Sequence, residues 1–209
     1  MELAVDVRGV SRRYGRRWAL ADVSFSVPAG AVAMIAGPNG SGKSTLLRIL
    51  ATAIRPDLGM ALVAGFDVAR EREDVRRVTA LLSHYSYLYE ALTGRENLGI
   101  TASGPSARFA DGTSALQRVG LSARADDPVS TYSAGMRKRL SFARVLMQQP
   151  QVVLLDEPYG QLDPDGFRLV DEVIAELRGK ATIIMATHQV ERVGKLADMK
   201  VELEEGRTK

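Results

Sequence analysis

The chain has 209 residues, 45% apolar and 25% charged, with a formal net charge of +3 and no cysteine. That length can bury a good core in one unit, and the absence of thiols excludes disulfides and thiolate metal sites and fits a reducing compartment. The basic residues are scattered (Arg12, Arg13, Arg16, Arg17; Arg70, Arg72, Arg76, Arg77; Arg137–Arg139) and interleaved with acids, so they read as solvated surface, and no nucleic-acid partner is expected.

In chain order, Leu3–Val10 and Ala19–Val27, the latter with the alternation of VSFSV, begin the chain with two or three antiparallel strands. AVAMIAG follows, a continuous apolar run ending in glycine, as a buried strand should. It feeds Gly37-Pro38-Asn39-Gly40-Ser41-Gly42-Lys43-Ser44-Thr45 and then LLRILATAI, a helix apolar on nearly every face. Strand, glycine loop and buried helix are the layout of a nucleotide-binding α/β core. Residues 68–146 read as a mainly helical insertion broken at SGPS, FADG and ADDP. After Pro150 the α/β pattern resumes with strand VVLLD, helix Phe167–Leu177, strand ATIIMAT, helix Gln189–Leu196 and a last strand over Val201–Glu204. The apolar runs around Ala31–Ala36 and Val152–Leu155 are strand-sized, too short to span a bilayer, and no signal peptide is expected.

Gly37 to Ser44 matches G-x-x-x-x-G-K-[ST] without a mismatch. Glycines at these positions let backbone N–H groups turn inward around phosphates, and the helix that starts there adds the positive end of its dipole. Lys43 is expected to reach the β- and γ-phosphates and the Ser44 hydroxyl to ligate Mg²⁺. Alone, the loop specifies only a nucleoside triphosphate.

VVLLDEP places Asp156 at the carboxyl end of a buried strand, where ligands bind in open α/β sheets. An acid there holds Mg²⁺ through water in phosphate-loop enzymes. Glu157 follows at once and, taken as the next strand residue, points to the opposite face, placed to polarise a water for in-line attack. Two ordinary strand-end acids would look the same; the phosphate loop is what favours the catalytic reading.

Tyr132-Ser133-Ala134-Gly135-Met136 resembles the signature motif of ABC ATPases, usually written LSGGQ. Gln161-Leu162-Asp163 resembles their D-loop, and the lone His188 after ATIIMAT resembles their switch histidine. Tyr14, in SRRYGRRWAL, sits where that family stacks an aromatic ring on adenine. With its motifs in the family's order along essentially the whole chain, the sequence resembles the ATP-binding subunit of an ABC transporter.

The resemblance implies an α/β fold: a P-loop NTPase core of the ABC ATPase type with an N-terminal antiparallel β subdomain and a helical insertion. Residues 1–209 would form one such domain, with 1–67 and 147–209 as core and 68–146 as insertion. It implies ATP and Mg²⁺ as cofactors and a head-to-tail homodimer, with Ser133 and Gly135 of one copy contacting the γ-phosphate held by the other, and Asp163 of the D-loop as a further cofactor-binding residue. His188 would hold the γ-phosphate and position the attacking water. It further implies an integral membrane partner subunit and a cytoplasmic, membrane-peripheral location. The physics of the signature agrees, because a serine cap and a glycine opening the helix MRKRLSFARVLM present free N–H groups to an anion.

The sequence departs from the family in places. The Q-loop glutamine, expected near residues 84–85, is replaced by Ser83-His84-Tyr85. Ala134 and Met136 alter the signature, and Gln161 stands where the D-loop has a small residue. YLYEALTGRENL, Tyr87–Leu98, resembles the site where a membrane subunit docks, which predicts apolar and aromatic surface around Tyr87, Leu88 and Tyr89. The short chain, that stretch and LDPDG resemble the ATP-binding subunit of the haem exporter of cytochrome c maturation. SAGM-type signatures also occur in ATPases of drug, lipid and polysaccharide exporters, the main alternative. A soluble ABC ATPase acting on DNA or ribosomes is a weaker alternative, as is a sensor that binds nucleotide without hydrolysis.

Overall fold

The computed structural model describes residues 2–83, 86–102 and 112–209. His84 and Tyr85, the expected Q-loop substitutes, lie outside the described residues. The chain divides into two compact units. One comprises residues 1–83, 151–158 and 176–209, and the other residues 84–150 and 159–175.

The first unit is built on two sheets. β1 (Leu3–Tyr14) and β2 (Arg17–Pro28) form an antiparallel hairpin, joined on the far side of β1 by β4 (Leu58–Val63) and then β5 (Phe66–Asp67). The second sheet runs β10 (Arg207–Thr208), β9 (Met199–Glu204), β3 (Val32–Ala36), β8 (Thr182–Ala186), β7 (Val152–Asp156) and β6 (Thr79–Leu82). From β9 to β6 its neighbours are parallel. β3, β7 and β8 are buried at every position, which is why they read as continuous apolar runs without alternation.

Helix α1 (Lys43–Leu50) is buried between the two sheets: Leu46, Leu47, Ile49 and Leu50 share one core with Val5, Val7 and Val23 of the first sheet and Ile35, Leu154 and Ile184 of the second. A helix enclosed on two sides must be apolar nearly all round. It is shorter than its sequence suggests, because Thr52 adopts a left-handed backbone (φ 59°). The turn is held by α2 (Arg72–Val78), whose Arg72 donates to the Thr52 carbonyl at 2.8 Å and whose Arg76 donates to Thr52 Oγ1 at 2.9 Å.

Residues 68–83, read from sequence as part of a helical insertion, cluster with the first unit. The difference is β6, whose four residues Thr79–Leu82 pair in parallel with Val152–Leu155. So short an apolar run after a helix carries no periodicity that separates strand from helix.

The second unit contains α3 (Gly94–Ala102), α4 (Gly112–Arg118), α5 (Ala134–Gln148) and most of α6 (Pro164–Leu177). Asn97 is buried and binds the loop before α3 through four bonds: its carbonyl accepts the Tyr89 N–H, and its amide donates to the carbonyls of Tyr89, Leu92 and Thr93. Arg144 of α5 donates to the carbonyls of Ser86 and Tyr87 at 3.1 and 3.0 Å, and burial lowers its pKa. Tyr87 and Tyr89 are exposed, which gives aromatic surface in the region where the sequence predicts it. α7 (Val190–Gly194) returns to the first unit. Among the described residues, no helix is long and apolar enough to cross a membrane.

Candidate nucleotide site

β3 delivers the glycine loop to the carboxyl edge of the parallel sheet, and α1 begins at its far end. Gly42, the residue before α1, has φ 104°, and a Cβ there would lie 2.4 Å from the Ala19 carbonyl oxygen. Only glycine lets the loop pass that close to β2. Lys43 is buried, and its Nζ donates to the carbonyls of Gly37 and Pro38 at 2.7 and 2.9 Å. The ammonium is thus held across the loop, so its charge sits among the amides expected to surround phosphate. Ser41 Oγ is buried and makes no hydrogen bond among the described residues, a polar atom left over inside the loop.

Ser44 Oγ donates to Asp156 Oδ1 at 2.9 Å. Asp156 ends β7 and is 4% exposed. Two hard oxygens side by side at a phosphate loop are a donor set that suits Mg²⁺, which keeps several waters and takes further oxygens from phosphates instead of an all-protein cage. Among the described residues there is no cluster of three or more His, Asp or Glu that could hold a metal.

Glu157 does not follow strand alternation. β7 stops at Asp156, and Glu157 has φ 48°, a conformation rare for a residue with a side chain. Its N–H donates to the Ala186 carbonyl at 2.8 Å, which fixes the turn. The carboxylate is held from β8's end: His188 Nδ1 lies 2.9 Å from Glu157 Oε2, and the Thr187 hydroxyl donates to the same oxygen at 3.3 Å. Backbone strain over-determined by its surroundings is typical of functional positions. Thr187 escaped the sequence reading; its signal was only its place between the strand and His188.

Tyr14, Arg17, Ala19, Asn39, Gly40, Gly42, Lys43, Ser44, Thr45 and Glu157 line one cleft of about 370 Å³. The structure therefore brings the aromatic ring, the loop and the acid together, with Asp156 joined through Ser44 and His188 through Glu157. Arg17 and Ala19 were not foreseen. The cleft can hold a base at Tyr14, phosphates at the loop and a water at Glu157.

Ser133, Gly135 and Asp163 lie in the second unit, where they line a different cleft of about 490 Å³ with Met136, Arg139 and Gln161. Ser133 caps α5, its Oγ accepting the Met136 N–H at 3.2 Å. Gln161 has φ 66°, and its carbonyl oxygen would lie 3.3 Å from a Cβ at Gly135, a tight approach between the start of α5 and the loop before α6. Asp163 accepts the Gly166 N–H at 2.7 Å and an Arg139 N–H at 3.1 Å. These two bonds, the first the larger, hold its carboxyl below the usual aspartate range.

Comparison with known proteins gives the family. The family model described as ABC transporter matches residues 20–160. The chain belongs to the ABC transporter family. It is 39% identical over 202 residues to the daunorubicin resistance ATP-binding protein DrrA3 of Streptomyces coeruleorubidus, covering 94% of this chain and 64% of that protein. It is 37% identical over 211 residues to the Nod factor export ATP-binding protein I of Mesorhizobium japonicum, covering 98% and 62%. The chain thus spans a little under two thirds of these relatives' own lengths. A solved ATP-binding subunit of an ABC transporter superposes with a TM-score of 0.91 at 28% identity, over 99% of this chain and 88% of that one. The fold is that of an ABC ATPase.

Proposed function

We propose that this ABC ATPase domain, a single domain made of both units, powers an exporter through a separate integral membrane subunit, with two copies acting head to tail. The observation that carries the catalytic part is the cleft that joins Tyr14, the phosphate loop and Glu157. Tyr14 stacks on adenine, and the loop of Gly37, Pro38, Asn39, Gly40, Ser41, Gly42, Lys43, Ser44 and Thr45 surrounds the phosphates, all but Pro38 having a backbone N–H to offer. Lys43 offsets charge on the β- and γ-phosphates. Ser44 and Asp156 are the residues that would hold Mg²⁺, which when bound neutralises phosphate charge in the transition state. Glu157 accepts the proton of the attacking water. His188, held by Glu157 through Nδ1, keeps Nε2 for the γ-phosphate or that water. Ser133 and Gly135 at the start of α5 serve the γ-phosphate of the opposite copy, as a capped helix N-terminus suits an anion, and Asp163 borders that contact. One chain then holds half of each site.

The relatives named for drug resistance and Nod factor export favour a drug, lipid or polysaccharide exporter over the haem exporter of cytochrome c maturation. The location that follows is cytoplasmic, peripheral on the membrane through the partner. The tagged protein, solubilised from its own membranes in mild detergent, should copurify with a polytopic membrane protein. Recovery with ribosomes or DNA alone would overturn the transport reading.

A further inference from the structure

The hairpin that carries Tyr14 contains a support that the proposed ATP site does not use directly. Tyr14 is 47% exposed and stands at the tip, paired with Arg17 across the turn. A ring so exposed would normally sample several rotamers. Here the Arg12 guanidinium lies 5.2 Å from its centroid. Arg12 is itself anchored: an Nη1–H donates to Asp57 Oδ1 at 2.9 Å, and Asp57 Oδ2 accepts the Arg13 backbone N–H at 2.7 Å. Asp57 is tied back in turn, its N–H donating to the Ser11 carbonyl at 2.8 Å. Arg12 Nε is shielded from solvent and makes no hydrogen bond among the described residues. On the adjoining pair, Arg13 lies 5.6 Å from the Trp18 ring and stiffens the same tip.

Tyr14 and Arg17 line the nucleotide cleft, whereas Arg12 is not among its lining residues. The cation therefore meets the ring from outside the cleft. Asp57 closes the segment that leaves α1, so the chain that begins at the phosphate loop ends by gripping the hairpin that carries the ring.

We propose that Arg12, anchored on Asp57, is a positioning residue for the nucleotide base, covering one face of the Tyr14 ring and leaving the other to adenine. The proposal rests on the reading of Tyr14 as the base-stacking side chain. A cation held over an exposed ring contributes a preference of about two- to fivefold in affinity. The effect belongs to the base and not to the phosphates, because Arg12 meets Tyr14 and is not among the residues that line the cleft.

The test compares Mg-ATP with Mg-tripolyphosphate, which has no base, by titration calorimetry on the whole protein. Arg12→Ala should weaken ATP binding by about two- to fivefold and leave tripolyphosphate unchanged. Arg12→Lys should restore most of the ATP affinity, since an ammonium also binds a ring face. In a Tyr14→Ala background, Arg12→Ala should have no further effect. Equal weakening of both ligands by Arg12→Ala would mean a merely structural role and would overturn the proposal. So would unchanged ATP binding in Arg12→Ala when Tyr14→Ala alone weakens it. If Tyr14→Ala itself spares ATP, the base-stacking reading fails first, and the two failures are told apart by that variant.

Discussion

Replacing Gly42 by alanine tests the geometry on which the phosphate loop depends. At φ 104° an alanine is strained by about 1–3 kcal/mol. Its Cβ would also meet the Ala19 carbonyl oxygen at 2.4 Å and Leu20 Cδ2 at 2.7 Å. The leucine end can move, but the carbonyl belongs to β2, and relieving such overpacking costs about 1–3 kcal/mol more. The sum, about 2–6 kcal/mol, corresponds to a fall in Tm of roughly 5–20 °C for a chain of this size. Gly40→Ala is the control, because Gly40 has φ 81° but no atom within 4 Å of an added Cβ. It carries the strain without the clash, about 1–3 kcal/mol. Thermal unfolding without nucleotide should therefore rank wild type, Gly40→Ala and Gly42→Ala in that order. Gly42→Ala should also lose at least about tenfold in ATP affinity, since a shift of only 1.4 kcal/mol at Lys43 and Ser44 suffices. If Gly42→Ala melts with Gly40→Ala and binds ATP like wild type, the close approach of loop and β2 is not what the glycine provides.

Further outcomes follow from the second unit. Arg144→Ala leaves the carbonyls of Ser86 and Tyr87 without their shared donor, and urea unfolding should show a loss of about 2–4 kcal/mol, with Arg144→Lys intermediate. The Asp163 carboxyl should titrate below an ordinary aspartate when followed by NMR. Arg139→Ala should move it up only part of the way, because the Gly166 N–H remains. The sign follows from a depressed native pKa: the stabilisation is fully present above the ordinary aspartate value of about 3.9 and is lost as pH falls through the lower native value. Stability between about pH 5 and 8 should therefore show no contribution from Asp163 to its pH dependence.

The parts of the site legible in the sequence are those whose chemistry demands particular residues at fixed local spacing. Gly37 to Thr45 and Asp156 at a strand end could be read because a phosphate nest and a sheet edge are both written contiguously. The buried parallel strands were legible because burial on both faces removes polar residues. What depends on distant partners was not. Nothing near Thr52 announces that Arg72 and Arg76 will end α1 early, and nothing near Tyr14 announces Asp57 behind Arg12. Glu157 was found for a reason the structure replaces: it leaves the strand in a left-handed turn, and His188 and Thr187 orient it. The substrate of the proposed exporter was illegible for a simpler reason, since an ATP cleft recognises the nucleotide. There the relatives redirect the reading from haem towards the drug, lipid or polysaccharide alternative.

In the proposed cycle two copies close on ATP and Glu157 then drives hydrolysis. Glu157→Gln keeps the size of the side chain and removes the base, a change worth about 10²–10⁴-fold in turnover. Light scattering of the purified Glu157→Gln protein with Mg-ATP should give the mass of a dimer, and without nucleotide that of a monomer, while ATP turnover falls within that range. A Glu157→Gln protein that stays monomeric with ATP, or hydrolyses it at the wild-type rate, would rule out this cycle.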